Sequence, residues 1–177
     1  MAVYTNIEKK DLIDLLFSYD IGSLIKFEGI LDGVENTNYK IHTSKNNYIL
    51  TIFEKRVNKN ELPFFIALQK HLSTKEINCP EPIANKKNQF INEIANKKCV
   101  IMSFLEGKKL DVVSPEHCLE VGYQLAKMHY SLKDFKMTRS NSLNHDQWRN
   151  IFNKCKLVKN FEDYDLINNI ENELIIL

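Results

Sequence analysis

The stretch from Phe27 to Glu54 constrains this chain most, because β-rich runs and turn signals follow one another there with no room for a helix. β-Branched and aromatic residues over 23–31, 37–43 and 48–55 predict three strands, and Asp32-Gly33 and Asn46-Asn47 between them are residues suited to tight turns. The outcome is an antiparallel meander. Its first loop, Asp32-Gly33-Val34-Glu35-Asn36-Thr37-Asn38-Tyr39, is rich in short amide side chains. A tight loop between antiparallel strands can lay such groups and its own N–H groups over a phosphate chain. A phosphate lid is one reading of the loop; a plain hairpin turn, set by the conformational preferences of Asp, Gly and Asn alone, is the other.

The flanking segments build a layer around this sheet. Thr5-Asn6-Ile7-Glu8 has the form of a capping box, and Ile7, Leu12, Leu15, Leu16 and Tyr19 recur at helical spacing, which predicts a first helix ending near Tyr19. Asn60 can cap a second helix with Leu62, Phe65, Ile66, Leu68 and Leu72 on its apolar face and Pro63 in its first turn. The prolines of Cys79-Pro80-Glu81-Pro82 then force extended backbone. Strands at 90–94 and 99–105 bring the sheet to about five. After Glu106-Gly107 only helical periodicity remains. Ser114-Pro115 reads as an N-cap and first helical position, and Cys118, Leu119, Gly122, Leu125, Ala126 and His129 share one side of the helix that follows. On that apolar side His129 is expected to be a core histidine. Residues 146–156, with Asp146 as N-cap and Trp148 packing inward, and 163–177 read as further helices. The chain ends on Leu174-Ile175-Ile176-Leu177 with neither cap nor polar tail, so a truncated domain is expected.

The predicted class is α+β: residues 1–106 as a small lobe of about five antiparallel strands plus helix, and 107–177 as the beginning of a helical lobe. Charge adds little, since 24 basic and 23 acidic residues are mixed along 177 positions to a net +1; no basic face argues for nucleic acid and no basic helix for a membrane. The first residues lack the charged and apolar regions of a leader, and no apolar run reaches the roughly 18 residues a spanning helix needs, so a cytoplasmic location is expected. Cys79, Cys99, Cys118 and Cys155 are widely spaced without a Cys-x-x-Cys pair, which predicts reduced, mostly buried thiols and no zinc site. His42 and His71 have no carboxylate or cysteine nearby in sequence.

A small lobe with a phosphate lid, a packed helix, a hinge strand and then a helical lobe resembles the protein-kinase-like fold. The segments Gly33-Val34-Glu35-Asn36-Thr37-Asn38-Tyr39, 49–57, Leu62-Pro63-Phe64-Phe65, Cys79-Pro80-Glu81-Pro82, Ser103-Phe104-Leu105-Glu106-Gly107, 122–129 and Asn141-Ser142-Leu143 with Trp148 resemble, in that order, the homoserine kinases of the aminoglycoside-phosphotransferase and choline-kinase-like superfamily. Each segment is weak alone, and their ordered succession covers essentially the whole chain. The glycine-serine-rich phosphate loop of the other homoserine kinase type is missing.

The resemblance implies transfer of the ATP γ-phosphoryl group, with Mg²⁺, to the hydroxyl of L-homoserine, a step of threonine biosynthesis. It implies that Gly33, Asn36 and Asn38 lie near the β- and γ-phosphates and that the backbone of Ser103 to Leu105 meets adenine. The superfamily's strand lysine and helix glutamate would fall at Thr51 and at Phe64 or Phe65, so Lys55 or Arg56 is left to supply the positive charge, against the alternative of a solvated strand end. The catalytic loop His-x-Asp-x-x-x-x-Asn and the metal-binding Asp have no counterpart here; in His145-Asp146 the two residues are adjacent. No catalytic residue and no metal ligand is therefore expected within the chain, which would be an inactive N-terminal fragment. Another small-molecule kinase of the superfamily, acting on choline, an aminoglycoside or a sugar, stays open, as does a non-catalytic remnant or binding module.

Overall fold

Period-two alternation fixes the sheet. In β2, Thr37–Thr43, every second residue from Thr37 is buried, while Asn38, Lys40 and His42 on the opposite face are half-buried. β3, Asn47–Ile52, alternates likewise, with Tyr48, Leu50 and Ile52 buried. With β1 (Leu24–Ile30), β4 (Asn92–Ile94) and β5 (Lys97–Ser103) they form one antiparallel sheet in the order β1-β2-β3-β5-β4. The register places Tyr39 opposite Leu50, and Leu50 opposite Ile101. A slip of one residue would turn this whole apolar set outward.

The computed structural model describes residues 3–54, 58–108, 110–157 and 163–176, which fall into two compact units, 1–137 and 138–177. In the first unit both sheet faces are covered. Helix α1, Lys9–Phe17, buries Leu12, Leu15 and Leu16 in a cluster with Tyr39, Ile41, Leu50, Ile52, Cys99 and Ile101. Helix α2, Leu62–Thr74, follows a single 3-10 turn at Lys59–Glu61 and sets Ile66 against Val100 and Met102 on the other face. Pro63 stands in the first turn of α2, where its missing N–H has no intrahelical partner to lose.

Two predicted caps are corrected. The capping box of α1 is built from Glu8 and Asp11, because Thr5 is drawn into tertiary hydrogen bonds described below. The turn before α2 is capped by Asn58, whose Oδ1 accepts the N–H of Asn60.

Helix α3, Pro115–Ser131, begins at Ser114 and Pro115 as predicted. Its C-terminal end is fastened to α2: Lys75 Nζ lies 2.6 Å from Asp134, and the Phe64 ring meets Phe135 edge-on. No residue of α3 is buried, Leu119 and Tyr123 being 76% and 63% exposed, so the expectation of a core His129 is overturned; it stands exposed on an uncovered helix. The second unit pairs α4, His145–Lys156, with α5, Tyr164–Ile176, through Lys156–Glu171 at 2.6 Å and Arg149 donating to the Leu174 carbonyl. Asn144, not Asp146, is the N-cap residue of α4; Asp146 sits in the first turn, and Trp148 donates its indole N–H to the Leu143 carbonyl. All four cysteines are free, but only Cys99 is buried, Cys79 is half-buried, and Cys118 and Cys155 are exposed on helices that bury little. No helix among the described residues is long and apolar enough to cross a membrane.

Candidate active site

Where the sheet and α2 diverge, they leave a cleft of about 400 Å³. Thr51, Val100 and Met102 supply the sheet side, Leu62, Phe65, Ile66 and Gln69 the helix side, and Phe53 lies between. Glu35 and Asn36, from the loop joining β1 and β2, reach its mouth. The cleft is a mostly apolar slot with polar groups gathered at the loop end, which suits a ligand with a flat apolar part and a charged tail.

The loop itself is residues 31–36, since β2 already starts at Thr37. Gly33 has φ +140°, a conformation in which a Cβ is strained, so glycine is demanded there by the backbone. Asn36 Oδ1 accepts the N–H of Glu54 at 3.4 Å, tying the loop to the end of β3. Asn38 stands on β2 rather than in the loop, opposite Thr51, and its Oδ1 accepts the Thr51 hydroxyl at 2.7 Å. Of the three, Asn36 lines the cleft, whereas Gly33 stands in the loop outside that lining and Asn38 is held behind Thr51, which does line it.

Just past Met102, which lines the cleft, the N–H of Ser103 donates to the Glu81 carbonyl and its Oγ accepts the Glu81 N–H, both at 2.8 Å. Ser103 is therefore occupied by the segment at Glu81-Pro82 that runs beside the end of β5. Leu105 is 39% exposed, and the backbone of Phe104 and Leu105 makes no hydrogen bond among the described residues. Lys40 Nζ lies 3.9 Å from the centroid of the Phe104 ring, a cation–π contact that fixes the first residue after β5. Lys55 and Arg56 lie outside the described residues.

Thr51 and Phe65, at the positions where the resemblance implies a lysine and a glutamate, both line the cleft, and neither carries charge. Phe64 turns away to pack on Phe135.

An acid–base pair does exist nearby, on the α1 side of the sheet. Glu54 Oε1 accepts the hydroxyls of Thr5 at 2.6 Å and Thr37 at 2.8 Å, while Oε2 pairs with Lys97 Nζ, which also donates to Thr5 Oγ1 at 2.6 Å. Burial alone would raise the Glu54 carboxyl, but Lys97 and the two threonine hydroxyls outweigh it and hold the pKa below the ordinary value. Sequence spacing could not find this cluster, because its members come from four segments. The same holds for the histidines: His71 Nε2 sits 2.8 Å from the Ser131 carbonyl and 3.1 Å from Asp134, and His42 faces Glu28 across β1 and β2 at 3.4 Å, so the expectation that neither has a carboxylate partner is corrected. Among the described residues no group of His, Cys, Asp and Glu could hold a metal ion.

Comparison with known proteins finds relatives among phosphotransferases. A homoserine kinase of Parvibaculum lavamentivorans is 41% identical over all 177 residues and 55% of its own length. One of Agrobacterium fabrum is 44% identical over 156 residues, 88% of this chain and 48% of that protein. The chain spans about half the length of the curated relatives it matches. In fold it is similar to a spectinomycin phosphotransferase solved with ADP and spectinomycin, with a TM-score of 0.63 at 14% identity over 90% of this chain and 50% of the other. An aminoglycoside phosphotransferase of Alicyclobacillus acidocaldarius gives 0.57 at 14% identity over 97% and 51%. The phosphotransferase enzyme family model matches residues 26–175, from β1 through the loop at 31–36, the cleft and the helices beyond, and on that match the chain belongs to this family.

Proposed function

We propose that the chain is the ATP-binding part of a homoserine kinase, which transfers the γ-phosphoryl group of ATP to the hydroxyl of L-homoserine in the cytoplasm. The observation that carries the reading is the 41% identity to a homoserine kinase across the full 177 residues. The cleft supports it: an apolar slot for adenine between Val100, Met102 and α2, closed at one end by a glycine-bearing loop with Asn36 at its mouth.

In this reading residues 1–106 form the nucleotide lobe and 107–177 open the helical lobe. Gly33 and Asn36 approach the β- and γ-phosphates, Asn38 orients Thr51 toward them, and Lys55 or Arg56 supplies the positive charge that Thr51 lacks. Leu105 offers adenine its free backbone, while Ser103 holds the hinge strand to Glu81. Phosphoryl transfer asks the protein chiefly to position phosphates and hydroxyl and to stabilise charge, and Mg²⁺, when bound, would supply further neutralisation of the phosphate charge. The cleft and its lid do the first part of that work. The base that orients the hydroxyl and the ligands of the metal belong to the half of the relatives this chain does not span, so the 177 residues bind nucleotide without turning it over.

The test compares the 177-residue chain with a version extended through the downstream reading frame, each given ATP, Mg²⁺ and, in turn, homoserine, choline and an aminoglycoside. The expected result is ATP binding by both in calorimetry and phosphorylation of homoserine by the longer chain only. Turnover by the short chain would refute the assignment of catalysis to the missing half, and preference for choline would refute the acceptor.

A further inference from the structure

The segment before α1 crosses the lid hairpin and is tied to it at every step. Val3 lies on Gly29 of β1, so closely that a Cβ at Gly29 would come within 2.9 Å of Val3 Cγ2. Tyr4 sends its hydroxyl to the carbonyl of Val34 in the lid at 3.0 Å. The N–H groups of Tyr4 and Thr5 both donate to Thr37 Oγ1, at 2.9 and 3.1 Å, and Tyr39 donates its hydroxyl to the Thr5 carbonyl at 2.8 Å. Thr5 Oγ1 then enters the Glu54–Lys97 cluster, whose backbone N–H at Glu54 holds Asn36.

We infer that residues 3–5 are a strap that positions the phosphate lid, with Tyr4 and Thr5 as positioning residues acting through Val34 and Thr37. The loop at 31–36 has few ties of its own. Its carbonyl at Val34 is held by Tyr4, its Asn36 side chain by Glu54, and its exit residue Thr37 by the strap backbone and by Glu54. A loop that must hold N–H groups over phosphates gains affinity when its bound shape is fixed beforehand. The strap supplies that fixing from outside the cleft, on the side of the sheet where Val3 packs against the α1 cluster. The residue types suit that role. Gly29 removes the side chain that would lift Val3 off the sheet, and Thr37 is fully buried as the acceptor of two strap amides.

The inference rests on the reading of 31–36 as a phosphate lid, and the experiment separates the two. Glu35 is exposed in the lid and Glu106 is exposed beyond β5, so a glutamyl-specific protease gives a lid site and an internal control in the same 177-residue chain. In Tyr4→Phe, which deletes one partly exposed hydroxyl and leaves the fold intact, cleavage after Glu35 should accelerate roughly threefold to tenfold, as expected for loss of one hydrogen bond. Cleavage after Glu106 should not change, and the thermal midpoint should fall by no more than a few degrees. The calorimetric Kd for ATP should weaken by a similar factor, and Thr37→Val should exceed Tyr4→Phe in both local readouts. Unchanged cleavage after Glu35 in both variants would overturn the strap. Faster cleavage at Glu35 with no ATP binding even by the unsubstituted chain would instead uphold the strap as a hairpin brace and overturn the nucleotide reading of the loop.

Discussion

Replacing Glu54 by alanine should cost more than any other single change outside the apolar core, and the cost should depend on pH. The Glu54 side chain is 10% exposed and accepts hydroxyls from Thr5 and Thr37, which are themselves 8% and 0% exposed. A hydrogen bond to a charged group contributes about 1.5–3 kcal/mol, and hydroxyls left without an acceptor in so buried a place keep their desolvation cost. Taking the lower value for each gives about 3 kcal/mol. Lys97 is 33% exposed and regains water, so its pair with Glu54 adds no more than about 0.5–1 kcal/mol. The expected loss for Glu54→Ala is therefore about 3–4 kcal/mol near neutral pH.

The sign of the pH effect follows from the depressed pKa. A carboxylate whose folded pKa lies below its unfolded value stabilises the protein above the unfolded pKa, and that stabilisation is lost as pH falls through the folded one. The gap between wild type and Glu54→Ala should thus be full at pH 7 and narrow steadily below about pH 4, where the unfolded carboxyl titrates. Urea unfolding followed through buried Tyr39 and Tyr48 reports on the first unit, while Trp148 reports separately on the second. Glu54→Gln, which keeps an oxygen for the hydroxyls, should recover part of the loss at pH 7 and none of the pH dependence. A gap below about 1 kcal/mol at pH 7, or one equal at pH 7 and pH 3.5, would refute the account of Glu54 as a charged hub.

Two further outcomes are accessible. Thiol-reactive dye should label exposed Cys118 and Cys155 fast and half-buried Cys79 slowly, whereas Cys99, buried and with its thiol pushed up to about 12 by burial first and by Glu93 second, should react only on unfolding; labelling of Cys99 in the native protein would contradict its place in the core. Gly33→Ala puts a Cβ at φ +140°, so roughly 1–3 kcal/mol of backbone strain should enter the lid, weakening ATP binding about tenfold or more while the unfolding midpoint moves little; unaltered affinity in calorimetry would show that the lid does not need this conformation.

What the sequence by itself determined was local. The alternation in Thr37–Thr43 named its strand to the residue, Ser114-Pro115 marked the start of α3, and the spacing of Leu12, Leu15 and Leu16 gave α1 its buried face. These signals lie within one turn or one pleat, where backbone geometry and side-chain pattern answer to each other directly. Partnership over long distances was decided only by the tertiary structure. Thr5 read as a helix cap until the sheet brought Glu54 to it from 49 positions away, and His71 lacked an acid until α3 delivered Asp134. His129 read as core because periodicity reports that a face is apolar, not whether anything covers it. The loop between β1 and β2 is the clearest division: Asp32-Gly33 and the asparagines announced a turn, but the register of β2 against β3 placed Asn38 behind Thr51, and the hydrogen bonds from Tyr4 and Glu54, neither written in the loop's own residues, tie that turn to its surroundings.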